Sequence, residues 1–152
     1  MASAISTLKW LANLLIQMWD HDPGATTAKL VSPDGGTTIR YLDMSLYSRF
    51  AVAAYPTVIG GGGLTKLEIV AATEPTFAAP VVVKDSGVIA ADAAGDWAVL
   101  ECTAEEIVQL GDELRYVAGR LTQATATDEA AVLYLAQPRF AHKDLTPATT
   151  IA

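Results

Sequence analysis

The sequence predicts a mainly β protein: an antiparallel β-sandwich or jelly-roll-like barrel with an N-terminal α-helix and one short helical turn between strands. The first observation behind this fold class is a series of short apolar segments between residues 26 and 136, which clusters of glycine, proline, serine and aspartate separate. The second is segment 96–123, whose pattern is strand, helical turn, strand. Because that connection is too short for a parallel return over a sheet, the pattern favours antiparallel pairing.

The composition limits the classes of protein to which the chain can belong. Its 152 residues predict one domain that is large enough to bury a core. Hydrophobic residues make up 51% and charged residues 18%, so we expect a partner to cover part of the apolar surface. The net charge of −7 argues against a nucleic-acid partner. The single cysteine, Cys102, fits a reducing compartment and is predicted to pack in a buried strand.

Residues 5–19 predict a helix whose apolar face is unusually wide. Its polar residues recur at spacings of three or four and form one narrow stripe: Ser6, Lys9, Asn13, Gln17 and Asp20. A helix that is apolar over more than half of its circumference needs cover on two sides. Two arrangements stay open: the helix packs on its own domain, or it docks on a neighbouring subunit or a larger assembly.

We expect neither a membrane span nor a secretory signal at the N-terminus. The apolar run is too short and too interrupted to cross a bilayer, and a basic segment and a small-residue cleavage site are missing. Only one lysine lies on the polar stripe, which argues against a helix on a membrane surface. No membrane partner is therefore expected.

The middle of the chain predicts strands and turns in close succession. Segments 26–31 and 37–42 predict a hairpin, and segment 49–59 predicts an edge or bent strand because Pro56 cannot donate to a ladder. The four glycines at 60–63 predict a flexible hairpin tip and lack the residues of a phosphate-binding loop. Further strands are expected at 67–72, 81–84, 88–91, 97–102, 115–122 and 131–136. The domain division is a helix or arm over 1–22, a β-sandwich over 23–138 and a tail over 139–152.

The helical turn at the centre of segment 96–123 has clear boundary signals. Thr103 and Glu106 have the spacing of a capping box, and Glu105 and Glu106 place negative charge in the first turn. Gly111 stands where a C-terminal glycine would end the helix. The strands on either side are predicted to be antiparallel neighbours.

No set of residues in the sequence has the spacing of a catalytic or metal site. His21 lies between two aspartates in a segment predicted to be a solvated linker, and it is a weak candidate for a metal ligand. The acidic residues at 101–113 are explained by the capped helical turn, although a carboxylate pair for glycoside chemistry is an alternative. We expect no enzyme activity, no catalytic residues, no cofactor and no metal.

Four segments carry a resemblance to a known group of proteins. Segment 41–49 matches the group's strand-and-turn element, and segment 67–73 matches its apolar strand that ends in Ala-Thr. Segment 99–117 matches its strand, acidic helical turn and Tyr-Val strand, and Arg139 and Phe140 match the basic-aromatic pair that closes the last strand. Over residues 40–142 the chain thus resembles small structural proteins of tailed bacteriophage virions, of the capsid decoration (cement) type.

The resemblance implies a non-enzymatic protein that stabilises a bacteriophage capsid by binding neighbouring capsid subunits. It implies a location in the virion, assembly in the host cytoplasm, and the major capsid protein or other virion proteins as partners. It also implies a homo-oligomer, with a trimer favoured. The residues predicted to bind partners come from the N-terminal helix and the C-terminal tail: Leu8, Trp10, Leu11, Leu14, Leu15, Met18, Trp19, Arg139, Phe140, Leu145 and Ile151.

Two other functions stay open. Within the structural class, the protein would be a head–tail connector or a tail component. From a different class, it would be a carbohydrate-binding module, since jelly rolls host such modules, and Trp97 or Tyr134 would then contact the sugar.

Overall fold

The protein folds as two antiparallel β-sheets packed face to face, which confirms the predicted mainly β sandwich. The computed structural model describes residues 15–22, 28–93 and 95–139. Sheet A has the strand order β1-β9-β4-β7, and sheet B has the order β2-β8-β5-β6, with β3 also paired to β8. The elements are β1 (Leu15–His21), β2 (Lys29–Leu30), β3 (Leu42–Asp43), β4 (Tyr47–Val58), β5 (Leu64–Ala72), β6 (Val81–Asp85), β7 (Ala98–Thr103), α1 (Ala104–Leu110), β8 (Tyr116–Gln123) and β9 (Glu129–Pro138).

The core lies between the two sheets and is built from alternate residues of each strand. Strands β4 and β9 contribute Phe50, Val52 and Tyr134, while Leu67 and Leu121 face them from sheet B. Alternation places the intervening residues of each strand on the outer faces of the sandwich. Cys102 is buried in β7, as predicted, and burial raises the pKa of its thiol to about 12, so it stays protonated and acts as a packing residue.

The predicted N-terminal helix is wrong for residues 15–19. Leu15–His21 forms strand β1, which pairs with β9 over all seven residues, and residues 5–14 lie outside the described residues. The apolar residues of this segment satisfy a helical and an alternating pattern equally well, and the available partner strand decides between them. Residues 15–21, which were expected to belong to the arm, therefore form an edge strand of the sandwich.

Strands β2 and β3 form one interrupted edge strand along β8. Leu30 lies opposite Arg120 and Leu42 lies opposite Val117, and residues 32–41 leave the sheet between these two pairs. The predicted hairpin between segments 26–31 and 37–42 is therefore wrong. We call residues 32–41 the excursion.

Several strand predictions need smaller corrections. Segment 49–59 was predicted as an edge or bent strand. Strand β4 lies inside sheet A, so the edge alternative is wrong, but its pairing with β7 ends at Ala54 and its register against β9 shifts between Pro56 and Val58. Segment 88–91 makes only an isolated bridge, between Ala91 and Leu64. Strands β7 and β8, which were expected to be neighbours, belong to different sheets because α1 carries the chain from one sheet to the other.

The helix boundaries agree with the sequence signals. Thr103 Oγ1 accepts the Glu106 N–H at 3.2 Å, and Glu106 Oε2 accepts the Thr103 N–H at 2.9 Å, which completes the capping box. Gly111 follows the last helical residue, and its N–H bonds back to the Ile107 carbonyl at 3.3 Å.

The four-glycine segment 60–63 is a packed crossover between β4 and β5, so its prediction as a flexible hairpin tip is wrong. The N–H groups of Gly60 and Gly61 donate to Asp128 Oδ1 at 2.6 and 3.2 Å, and the Thr125 N–H donates to Asp128 Oδ2 at 2.7 Å. Gly63 has a φ of +63°, and a Cβ atom there would lie 2.2 Å from a backbone carbonyl oxygen. The buried Asp128 carboxylate thus ties the crossover to the β8–β9 turn.

Candidate interaction surface

The middle of the outer face of sheet A is apolar across all four strands, whereas the row Gln137, Arg49 and Thr103 at one end is polar. One row of laterally paired residues consists of Met18, Leu133, Ala53 and Val99. Since the residues between them on β4 and β9 are buried in the core, these side chains point away from it. Met18 is 72% exposed and Val99 is 47% exposed. We call this outer surface the sheet-A face.

Two further rows extend the sheet-A face on either side of the first. One row runs through Ile16, Leu135, Ala51 and Glu101, and the other runs through Asp20, Ala131 and Tyr55. The two acidic residues therefore lie on the edge strands β1 and β7, and the centre of the face is uncharged.

An antiparallel sheet with one solvated face normally alternates apolar and polar residues, and the sheet-A face departs from this rule. Contiguous apolar surface of this kind is typical of a site that binds another macromolecule. Its strands β4 and β9 are long and central, so the face is rigid.

The outer face of sheet B is covered by the chain itself. Phe77 packs there on Val70 and Ala118, and Tyr41 meets the Tyr116 ring edge-on with a centroid separation of 5.6 Å. Part of this cover comes from the excursion, which contributes Ile39 to the same cluster. Sheet B therefore has no comparable apolar surface in the described part of the chain.

An ion-pair cluster occupies the remainder of the outer face of sheet B. Glu68 is buried and accepts hydrogen bonds from Lys66 Nζ at 3.0 Å and Arg120 Nε at 2.7 Å. Burial alone would raise the pKa of the Glu68 carboxyl, but the two cations hold this pKa below its usual value. The outer face of sheet B is therefore charged in this region, whereas the centre of the sheet-A face is uncharged.

Four of the predicted partner-binding residues lie in the described part of the chain, and they divide between the two sides of sheet A. Met18 belongs to the sheet-A face. Leu15 and Trp19 point inward against the core, and the Arg40 guanidinium lies 4.4 Å from the Trp19 ring centroid. Arg139 is exposed just beyond β9, where its Nε donates to the Tyr47 carbonyl at 3.0 Å.

The other seven predicted residues, in 1–14 and 140–152, lie outside the described residues: Leu8, Trp10, Leu11, Leu14, Phe140, Leu145 and Ile151. Leu15, where β1 begins, pairs with Ala136, two residues before β9 ends at Pro138. The first and last described strands thus begin and end, respectively, at the same end of sheet A.

The centre of the sheet-A face was not predicted from the sequence. Its signal was present in β9, where Ala131, Leu133 and Leu135 are apolar although the alternate residues already fill the core. A strand that is apolar on both sides places apolar residues on the outer face of its sheet as well as in the core.

His21 is buried at the end of β1, so its prediction as part of a solvated linker is wrong. It is 1% exposed, and its Nδ1 accepts the Ser32 N–H at 3.2 Å. Burial lowers the pKa of His21 to about 4, so the ring is neutral near pH 7. Its Nε2 has no hydrogen-bond partner among the described residues.

An open groove of about 480 Å³ lies beside strand β7. Its lining includes Ile89, Ala91 and Trp97, and Trp97 is 68% exposed.

Within residues 15–22, 28–93 and 95–139, no three histidine, cysteine, aspartate or glutamate side chains are grouped as metal ligands. No helix formed by the described residues is both long enough and apolar enough to cross a membrane.

The chain matches no protein-family model and no curated protein. The fold and the surface therefore define a β-sandwich protein in which the described residues leave the apolar sheet-A face uncovered.

Proposed function

We propose that this protein is a non-enzymatic structural component of a tailed bacteriophage virion, which decorates and stabilises the capsid by binding neighbouring capsid subunits. The observation that carries the proposal is the sheet-A face, with its exposed Met18 and Val99 and its uncharged centre. The resemblance over residues 40–142 supports the virion context, and with it assembly in the host cytoplasm.

The strand order supports a jelly roll as the finer description of the fold. When β2 and β3 are counted as one interrupted strand, the described residues form four strands in each sheet, and among them only the β5–β6 connection stays within one sheet. Such double-sheet arrangements of eight strands occur in viral capsid and lectin domains. The fold agrees with a capsid role but does not establish it.

The proposed mechanism is burial of the sheet-A face against a capsid subunit. Each large apolar side chain that leaves water on docking contributes about 1.5–3 kcal/mol. The centre of the face has no charge that would have to lose its hydration. Repetition of the contact on a capsid lattice converts modest single contacts into stable attachment.

Replacing Ala53 with glutamate tests this mechanism. Ala53 lies at the centre of the sheet-A face, between Leu133 and Val99, so docking would bury the new carboxylate without a partner. In co-sedimentation with shells of the phage's major capsid protein, we expect the Ala53→Glu protein to bind at least about 100-fold more weakly, or about 3 kcal/mol.

Val82→Glu is the matched control, since Val82 is 39% exposed on β6 of the opposite sheet. This protein should bind like the wild type. Equal binding by the Ala53→Glu protein, or an equal loss in both variants, would contradict a role for the sheet-A face.

The carbohydrate-binding alternative is favoured by one observation, the exposed Trp97 beside the groove. Tyr134, the other ring considered, is fully buried and cannot contact a sugar. Binding on a glycan array that is lost in a Trp97→Ala protein would support this alternative over the capsid role.

A further inference from the structure

Within the described residues the outer edge of β1 is left open, and its one charged side chain, Asp20, lies near the end of the strand. β1 pairs with β9 along its whole length without a bulge, and no described segment pairs with its other edge. It contains no proline, lysine or arginine, and its outward side chains are Ile16 and Met18, followed by Asp20 near the end of the strand. A long, regular, apolar edge of this kind is a template for an added strand.

The other three sheet edges are protected. The edge formed by β2 and β3 is interrupted by the excursion. Strand β6 has a bulge against β5, and its Lys84 and Asp85 are in ion pairs with Glu106 and Lys66. Strand β7 has the exposed Glu101 and leads directly into α1. The open edge of β1 is thus the exception in this fold.

We propose that the β1 edge pairs antiparallel with the β1 edge of a second copy of this chain, joining two four-stranded sheets into one continuous sheet. A two-fold contact brings the same strand to both sides, so the edge must be complementary to itself. In the register centred on Gln17, Ile16 lies opposite Met18 of the second copy, and Gln17 lies opposite itself. No charged side chain of β1 then faces another, which matters for two chains that each have a net charge of −7.

This inference extends the proposed function, because the pairing would join two sheet-A faces into one larger apolar surface. It differs from the trimer that the resemblance favours. It can be tested on the purified protein without capsids, so that the two proposals fail separately. A dimer that does not bind shells contradicts only the capsid role, and a monomer that binds them contradicts only the pairing.

The test is the mass of three proteins by sedimentation equilibrium. Met18 and Val99 lie in the same row of the sheet-A face but on opposite edge strands. The wild type and the Val99→Lys protein should be dimers. The Met18→Lys protein should dissociate at least about 100-fold more readily, because lysine on an edge strand opposes pairing.

A monomeric or trimeric wild type, or a Met18→Lys protein that stays dimeric, would overturn the proposal. So would an equal loss in the Val99→Lys protein, which would indicate contact through the faces instead of the edges. The register has its own test in a Gln17→Cys protein that also has Cys102→Ala. A disulfide between copies is expected, and a dimer that forms none would overturn the register centred on Gln17.

Discussion

Replacing Tyr134 with alanine is expected to lower the free energy of unfolding by about 3–5 kcal/mol, as for other large aromatic residues in cores. Tyr134 is fully buried between the sheets, and its ring meets Phe50 edge-on with a centroid separation of 4.9 Å. Its hydroxyl accepts the Gly119 N–H at 2.7 Å and donates to the Arg40 carbonyl at 3.0 Å. One side chain of β9 therefore connects sheet A to β8 and to the excursion.

The Tyr134→Phe protein separates the hydroxyl from the ring. It keeps the apolar contacts but leaves the buried Gly119 N–H and the partly buried Arg40 carbonyl without their partner, which costs about 1–3 kcal/mol. Urea unfolding measures both losses. Leu133→Ala is the control on the same strand, because Leu133 faces outward and its loss should be smaller than that of either Tyr134 variant. A Tyr134→Phe protein as stable as the wild type would contradict the role of the hydroxyl.

Lowering the pH from about 7 is expected to destabilise the protein through protonation of His21 in the unfolded chain, which begins above the pH range in which carboxyl groups ordinarily titrate. The pKa of His21 is about 4 in the folded protein, below its usual value of 6.5, because burial opposes the charged ring. The unfolded chain therefore binds a proton first as the pH falls. Stability should decrease by about 2 kcal/mol between about pH 7 and about pH 5, and by about 3 kcal/mol in all by about pH 4.

The carboxyl of Asp34 acts at lower pH. Hydrogen bonds from Ser32 and Thr38 lower the pKa of Asp34 to about 2, so its contribution is lost only in stronger acid. A His21→Asn protein keeps a side-chain acceptor for the Ser32 N–H but does not titrate in this range. Urea unfolding at several pH values should show a flat profile for this variant above about pH 5. The same slope in both proteins would contradict the assignment to His21.

Local signals in the sequence predicted the helix α1 well, because its boundaries depend on neighbouring residues. Thr103 and Glu106 form the predicted capping box, and Gly111 follows the last helical residue as predicted. Strand β1 and the interrupted edge strand were missed because their structure depends on β9 and β8, which lie about 70–120 residues further along the chain. Turn residues at 32–36 indicated a reversal but not the partner of the flanking segments.

The surface was predicted only in part for a related reason. Composition indicated that a partner covers apolar surface, and Met18 was among the residues named. The burial of His21 and the exposure of Val99 depend on which segments pack over each end of the sandwich, and neither has a signature in the local sequence. Trp19 was assigned to the partner surface because helical spacing grouped it with Met18, whereas strand alternation places the two on opposite sides.

The central claim is that the protein is a structural part of a virion, and its copy number in purified particles tests this most directly. Quantitative mass spectrometry should be made on particles of the phage that encodes the chain, with the major capsid protein as the internal standard. A decoration protein is expected in numbers comparable to those of the capsid protein. A small fixed number would instead indicate a head–tail or tail component, and absence from the particles would contradict the account.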